Sequence, residues 1–134
     1  MPEYYIGLMS GTSMDAVDAV LVDASRHLPI VSRYLTTPIP TKLRTRLIAL
    51  AQGDAISLKQ LAELDVLLGN MFADAALALL QQSGIPAQSV QGVGSHGQTI
   101  FHRPDGPFPT SMQIGDPNII AERTGITTIA DFRR

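Results

Sequence analysis

Short apolar segments alternate with small polar residues at the start of the chain. Residues 4–9 and 17–22 are rich in aromatic, aliphatic and β-branched side chains, which is typical of strands. Residues 10–16, which join them, are too few for a helical crossover, so we predict that the two strands pair antiparallel. A third strand is predicted over residues 30–37 and ends at Pro38.

The middle of the chain changes to a helical period. Thr41 is predicted to cap a short amphipathic helix that ends before Gly53. A longer helix follows, for which Ser57 and Gln60 form a capping box and Gly84 marks the end. The apolar face predicted for this longer helix consists of Leu61, Leu64, Leu68, Phe72, Ala75 and Leu79.

The following segment combines a short apolar stretch with a polar, glycine-rich one. Residues 90–93 are predicted to form a short buried strand, and residues 94–99 a polar turn at its carboxyl end. Three prolines at positions 104, 107 and 109 disfavour a helix there. A hairpin through residues 99–101 and 111–114 is the predicted connection.

The last segment predicts a helix and a final strand. Asp116 is suited to cap a helix with Pro117 at its first position, and Gly125 ends it. Residues 126–130 form the last predicted strand. Antiparallel opening strands followed by helices that alternate with strands predict an α/β fold with a mixed sheet, whose ligand-binding loops lie beyond the carboxyl ends of the parallel strands.

The composition is that of a globular protein with a core: 45% of the residues are hydrophobic and 16% are charged. At 134 residues, one domain or part of a larger one is expected. The formal charge of −2 gives no basic patch, so nucleic acid is not expected as a partner. The first predicted strand begins within a few residues of Met1 without a basic segment before it, and no apolar segment approaches the roughly 20 residues that span a bilayer, so we expect neither a signal peptide nor a transmembrane segment. The chain has no cysteine, which fits the cytoplasm.

The first candidate site is the turn of small residues between the first two predicted strands. Glycine lets backbone N–H groups approach an anion, Thr12 and Ser13 add hydroxyl donors, and Asp15 or Asp18 could hold a water-coated magnesium ion. The segment is not a Walker A loop, because it lacks Gly-Lys-Ser/Thr and opens no helix. A solvated hairpin turn would use the same residue types for turn chemistry alone.

The second candidate is the glycine-rich segment at residues 92–97, which matches the G-x-G-x-x-G pattern. No helix follows that could receive a pyrophosphate, so we reject a dinucleotide site. A nucleophile elbow around Ser95 is only a remote alternative, because Val93 stands where that motif needs glycine and no helix follows. His96 is placed either to donate a hydrogen bond to a sugar hydroxyl or phosphate, or to fix its own loop.

Two further segments carry candidate binding residues. Gln113, just before a glycine, is the better binding candidate of its segment, because helix capping already explains Asp116. Near the end, Asp131, Arg133 and Arg134 offer a carboxylate and two guanidinium groups suited to carboxylate or phosphate ligands. A merely solvated segment explains these last residues equally well. His27 and His102 are predicted to be surface residues and form no metal site.

Four separated segments together resemble the anhydro-N-acetylmuramic acid kinases: GLMSGTSMD at residues 7–15, GSHGQT at 94–99, QIGD at 113–116 and ADFRR at 130–134. Their order and spacing match across essentially the whole chain. The resemblance implies an actin-like fold of two ribonuclease-H-like domains, with ATP in the cleft between them. This chain would be most of the first domain, incomplete, with the second ATPase domain absent.

The resemblance also implies a reaction and its cofactors. Water attacks the anomeric carbon of 1,6-anhydro-N-acetylmuramic acid, the anhydro ring opens, and O6 receives the γ-phosphoryl group of ATP with the help of Mg²⁺. The product would be N-acetylmuramic acid 6-phosphate in peptidoglycan recycling, made by a homodimer. The alternative function is a non-catalytic nucleotide-binding or scaffold module of the same fold.

The resemblance assigns residues to this chemistry. The substrate-binding candidates are His96, Gln98, Gln113, Asp131 and Arg133. The ATP-binding residues are Gly11, Thr12, Ser13, Met14, Asp15, Ala16, Val17 and Asp18, of which Asp15 and Asp18 are the candidate magnesium residues. The family's general-base aspartate lies in a Gly-Phe-Asp-Thr-Gly-Pro segment that these 134 residues do not contain, so we expect the isolated chain to be inactive.

Two positions depart from the expected pattern. Ala16 stands where the family usually has glycine, which would restrict the loop if the site needs a positive φ. Met9 replaces the aspartate that precedes the loop in other actin-like kinases, so Asp15 or Asp18 is expected to take over the positioning of magnesium.

Overall fold

The opening strands of the computed structural model, which describes residues 1–133, lie where the sequence predicts them. They are β1 (Tyr4–Ser10), β2 (Ala16–Asp23) and β3 (Ile30–Pro38). β1 pairs with β2 and β2 with β3, both antiparallel. The antiparallel arrangement of the first two strands is therefore confirmed.

The two long helices confirm one capping prediction and correct another. Helix α1 (Thr41–Ala51) has Pro40 at its N-cap and no side-chain cap, so the prediction that Thr41 caps it is wrong. Thr41 is instead the first helical residue, because the preceding proline fixes the extended backbone that enters the helix. Helix α2 (Leu58–Ser83) has the predicted Ser57 capping box and ends at Gly84, which has a φ of 66°.

Strand β4 (Val90–Arg103) is much longer than the sequence indicates, and a single 3₁₀ turn, Ala87–Ser89, precedes it. The prediction of a polar turn at residues 94–99 is wrong, because those residues continue in the sheet. They pair with β1 on one side, where the register shifts around His96. The strand pairs on both edges, and this pairing satisfies the backbone N–H and C=O groups of small residues that would otherwise favour a turn. The shift at His96 is a β-bulge, and a β-bulge changes the direction in which a side chain of the strand points.

The remaining elements follow the predicted order. Strand β5 (Thr110–Ile114) forms the predicted antiparallel hairpin with β4. Helix α3 (Pro117–Thr124) begins at the Asp116 cap and ends at Gly125, as predicted. Strand β6 (Thr128–Ala130) starts two residues later than predicted and pairs parallel with β4.

The sheet has two unlike faces. Its order is β3-β2-β1-β4-β5, with β6 also beside β4. Side chains alternate between the faces of a strand, and those of one face, which we call the covered face, pack with the helices into the core. Core residues of this face include Ile6, Leu8, Val17, Ala19, Leu21 and Val93. The opposite, open face carries the exposed side chains of Tyr5, Met9, Tyr34 and Ile129.

Within residues 1–133, no helix is long and apolar enough to cross a membrane.

Candidate functional site

The turn between β1 and β2 is tight and presents its polar residues outward. The Met14 N–H group donates to the Gly11 carbonyl over 3.1 Å and closes the turn. Thr12 and Ser13 are both exposed at its tip. A Cβ atom placed on Gly11 would meet nothing within 4 Å, so the space beside its backbone is open. The turn therefore offers backbone and hydroxyl donors to a ligand that approaches from solvent.

Met14 anchors this turn from inside. Its φ is +54°, which is rare for a residue other than glycine, yet its side chain is buried in the core. Burial of the thioether chain offsets the cost of the left-handed backbone. Ala16, which stands where the family has glycine, is not among the positive-φ residues and begins β2. The strained position of the turn is thus Met14, and alanine at 16 needs no unusual backbone.

Gln98 of β4 lies directly behind the turn and is fully buried. Its Nε2 group donates to the Gly11 carbonyl over 3.2 Å and to the Thr99 carbonyl over 3.1 Å. Its Oε1 atom accepts a hydrogen bond from the Ser10 hydroxyl. These contacts join the segment at residues 94–99 to the turn at residues 11–14. The predicted contact between Gln98 and substrate stays a prediction.

Arg44 of α1 supports the turn from a second direction. Its Nη2 and Nε atoms donate to the Ser13 carbonyl over 3.1 and 3.3 Å. The Ile39 N–H group donates to the Asp15 carbonyl over 2.9 Å. Arg44 is not predictable from the sequence as a support of the turn, because nothing in the pattern of α1 distinguishes it from the other cations of that helix.

The two candidate magnesium residues have different surroundings. Asp15 is exposed, and its Oδ1 atom accepts from the Ser13 hydroxyl over 2.9 Å. Asp18 is half-buried, and its Oδ1 atom accepts from the Tyr34 and Thr36 hydroxyls of β3 over 2.8 and 3.0 Å. The structure ties Asp15 to the turn itself and Asp18 to the neighbouring strand.

A direct all-protein metal centre is not present among the described residues, where no group of three or more His, Cys, Asp or Glu side chains is arranged to hold a metal ion. Magnesium usually keeps several waters and is bound through one or two carboxylates together with substrate phosphates. An exposed carboxylate beside an open turn would fit that mode of binding, and Asp15 is such a carboxylate.

His96 projects from the bulge of β4 onto the open face. Its Nδ1 atom lies 3.2 Å from the Gly97 carbonyl, and its Nε2 atom lies 3.2 Å from Nη1 of Arg133. A guanidinium group only donates, so Nε2 accepts and Nδ1 carries the hydrogen. The ring thus fixes its own strand and also lies beside a predicted substrate residue. A trough on this face is lined by His96, Phe132, Asp18 and Tyr34.

The other predicted residues lie on separate elements. Gln113 of β5 is half-buried, and its amide donates to the hydroxyls of Thr99 and Ser111 over 3.1 and 2.8 Å. Asp131 is exposed with a φ of 58°. The structure therefore brings His96 and Arg133 together and leaves Gln113 on the hairpin. Substrate contact by these residues stays a prediction, and Arg134 lies outside the described residues.

Two residues of the sequence analysis have structural roles. Asp116 caps α3 by accepting from the Asn118 N–H group over 2.9 Å, as predicted. The Ser95 hydroxyl is buried and is the one buried side-chain polar atom without a partner among residues 1–133. It has no access to solvent and no hydrogen-bond partner, which argues against a hydrolase elbow.

The mixed sheet, with a small-residue turn between two antiparallel strands and parallel strands beside them, defines an incomplete α/β domain of the actin-like, ribonuclease-H-like class. A family model described as anhydro-N-acetylmuramic acid kinase matches residues 3–134. The chain belongs to this family.

Curated relatives bear the same description. One from Vibrio vulnificus (strain CMCP6) is 49% identical over 132 residues, which cover 98% of this chain and 36% of the relative. One from Coxiella burnetii (strain RSA 493) is 52% identical over 132 residues, covering 98% of this chain and 35% of the relative. The chain therefore spans little more than a third of the length of these relatives.

Proposed function

We propose that this chain provides the phosphate-binding turn of an ATP-dependent phosphotransferase that acts on 1,6-anhydro-N-acetylmuramic acid. The whole activity belongs to a protein of the length of the relatives, of which this chain is the amino-terminal part and most of the first domain. The observation that carries the proposal is the turn at residues 11–14, held from behind by Gln98 and Arg44 while Thr12 and Ser13 face solvent.

The turn has the parts that a phosphate group needs. Backbone N–H groups of the turn and the exposed Thr12 hydroxyl are donors for phosphate oxygens, while the Ser13 hydroxyl already donates to Asp15. The open space beside Gly11 lets a phosphate approach the backbone closely. When bound, ATP with Mg²⁺ would supply the phosphoryl group and neutralise its charge. Asp15 would hold a magnesium-bound water. Asp18, on β2, would be a second carboxylate for the magnesium ion.

The sugar would lie on the side of β4 that carries His96. His96 accepts from Arg133 there, and the remaining N–H groups of the Arg133 guanidinium are donors for hydroxyl and carboxylate groups. Gln113 and Asp131 complete the proposed substrate contacts. The general base that takes a proton from the attacking water lies, in this proposal, in the part of the relatives that the chain does not span. A homodimer in the cytoplasm remains part of the proposal.

The experiment that tests this function measures ADP release with 1,6-anhydro-N-acetylmuramic acid as acceptor. It compares this chain with a version extended to the length of the relatives. We expect turnover by the extended protein alone, with N-acetylmuramic acid 6-phosphate as product. If neither protein turns over, the non-catalytic module becomes the better interpretation.

Magnesium dependence should separate the two aspartates. We expect Asp15→Asn in the extended protein to raise the Mg²⁺ concentration for half-maximal activity about tenfold, as loss of an outer-sphere partner typically does. Asp18→Asn is the matched control, and a smaller change is expected, because its oxygen already serves Tyr34 and Thr36. Unchanged magnesium dependence and turnover in Asp15→Asn would contradict the assignment.

A further inference from the structure

We propose that Gln98 is a positioning residue for the phosphate turn and not a substrate contact. Its link to nucleotide rests on the proposed function, whereas its effect on the turn does not. The inference concerns one side chain of β4 that reaches the backbone of the turn between β1 and β2, 87 residues away along the chain.

The amide of Gln98 has little capacity left for a ligand. A glutamine amide has two N–H donors and one carbonyl oxygen. Both donors of Gln98 are used by the carbonyls of Gly11 and Thr99, and its oxygen accepts from Ser10. The reverse orientation would point the amide oxygen at two carbonyl oxygens, so these partners fix which atom faces the turn. With the side chain fully buried as well, a sugar has no route to it.

The contact with Gly11 sets the direction of a whole peptide group. The Gly11 carbonyl accepts two hydrogen bonds, one from the Gln98 amide and one from the Met14 N–H group. In a trans peptide the carbonyl and the following N–H point in opposite directions, and residues 1–133 contain no cis peptide. Because Gln98 holds the carbonyl inward, the N–H group of Thr12, which is exposed, points away from Gln98.

Gln98 also connects the two halves of the proposed site. It lies two residues beyond His96 on β4, and the bulge between Ser95 and Gly97 determines which face each of these side chains takes. His96 therefore faces the open side while Gln98 faces the core and the turn. A shift of β4 in this region would move both the sugar side and the phosphate turn.

The first test measures amide hydrogen exchange in this chain without any nucleotide. Gln98→Met keeps the length of the side chain and removes its hydrogen bonds, and Gln98→Glu keeps the acceptor for Ser10 but removes both donors. We expect the amide of Met14 to exchange at least about tenfold faster in both variants, since local opening of the turn costs less free energy. Ser10→Ala leaves both donor bonds intact and should have a smaller effect.

A remote variant controls for general loss of stability. Thr124 is buried, donates to the Ile120 carbonyl over 2.7 Å and accepts from the Ile126 N–H group over 3.2 Å. Thr124→Val removes both bonds without touching the turn. If Thr124→Val accelerates Met14 exchange as much as Gln98→Met does, or if neither Gln98 variant accelerates it, the inference is wrong.

The second test separates this inference from the proposed function. In the extended protein we expect Gln98→Met to raise KM for ATP about tenfold and to change KM for the sugar less than twofold. A raised KM for the sugar with an unchanged KM for ATP would restore the substrate-contact interpretation and overturn ours. If the turn amides respond but the parent protein binds no nucleotide, the proposed function fails while the role of Gln98 in holding the turn stands.

Discussion

Gly115→Ala should destabilise the chain strongly, through backbone strain and a steric clash together. Gly115 follows β5 with a φ of +120°, and a Cβ atom there would lie 2.7 Å from the ring of Phe72. Strain at such a backbone position and overpacking of a core side chain each cost about 1–3 kcal/mol. We therefore expect the free energy of unfolding to fall by about 3 kcal/mol or more, as measured by urea titration.

Gly53→Ala is the matched control for this prediction. Gly53 has a φ of +95°, but a Cβ atom there would meet nothing within 4 Å. Its substitution therefore reports backbone strain alone, about 1–3 kcal/mol. Equal losses in the two variants would show that the ring of Phe72 moves aside at little cost and would contradict the predicted clash.

Met14→Ala should have the second largest effect, because it empties a core position while leaving the left-handed backbone in place. Met14 is 5% exposed with a φ of +54°. Truncation of a buried methionine to alanine costs about 2–5 kcal/mol. We expect a loss in this range from denaturant unfolding, and weaker ATP binding in the extended protein, because the turn loses its anchor.

Met14→Leu tests the reason for that effect. The volume is nearly conserved, and such exchanges usually cost less than about 1.5 kcal/mol. Met14→Leu should therefore retain the turn and most of the stability. A loss as large as that of Met14→Ala would mean that the buried apolar volume is not what holds the turn.

Elements with local sequence signals were predictable. The capping box at Ser57, the glycine after α2 and the Asp116 cap each depend on residues a few positions apart, and all three are confirmed. The segment at residues 94–99 was not predictable, because its small polar residues favour a turn locally. Pairing with β1 on one edge, and with β5 and β6 on the other, keeps it in the sheet.

The candidate site also has a part that the local sequence predicts and a part that depends on residues far away along the chain. The small-residue turn was visible in the sequence, since its chemistry lies in adjacent residues. Its supports were not: Gln98 and Arg44 reach the turn across 87 and 31 residues. Asp65 holds Gly115 in a similar way. Its Oδ1 atom accepts a hydrogen bond of 2.7 Å from the Gly115 N–H group, 50 residues away along the chain. A pattern along the chain contains no information about which buried amide will meet which carbonyl.

The one-sided placement of the helices has a consequence for handedness. The connections from β1 to β4 and from β4 to β6 both join parallel neighbours and both advance across the sheet in the same direction. Crossovers of this kind are right-handed in nearly all proteins. Two right-handed crossovers that run across the sheet in the same direction place their helices on the same face. A right-handed crossover can put a helix on the open face, above Tyr5 and Ile129, only by travelling back toward β1.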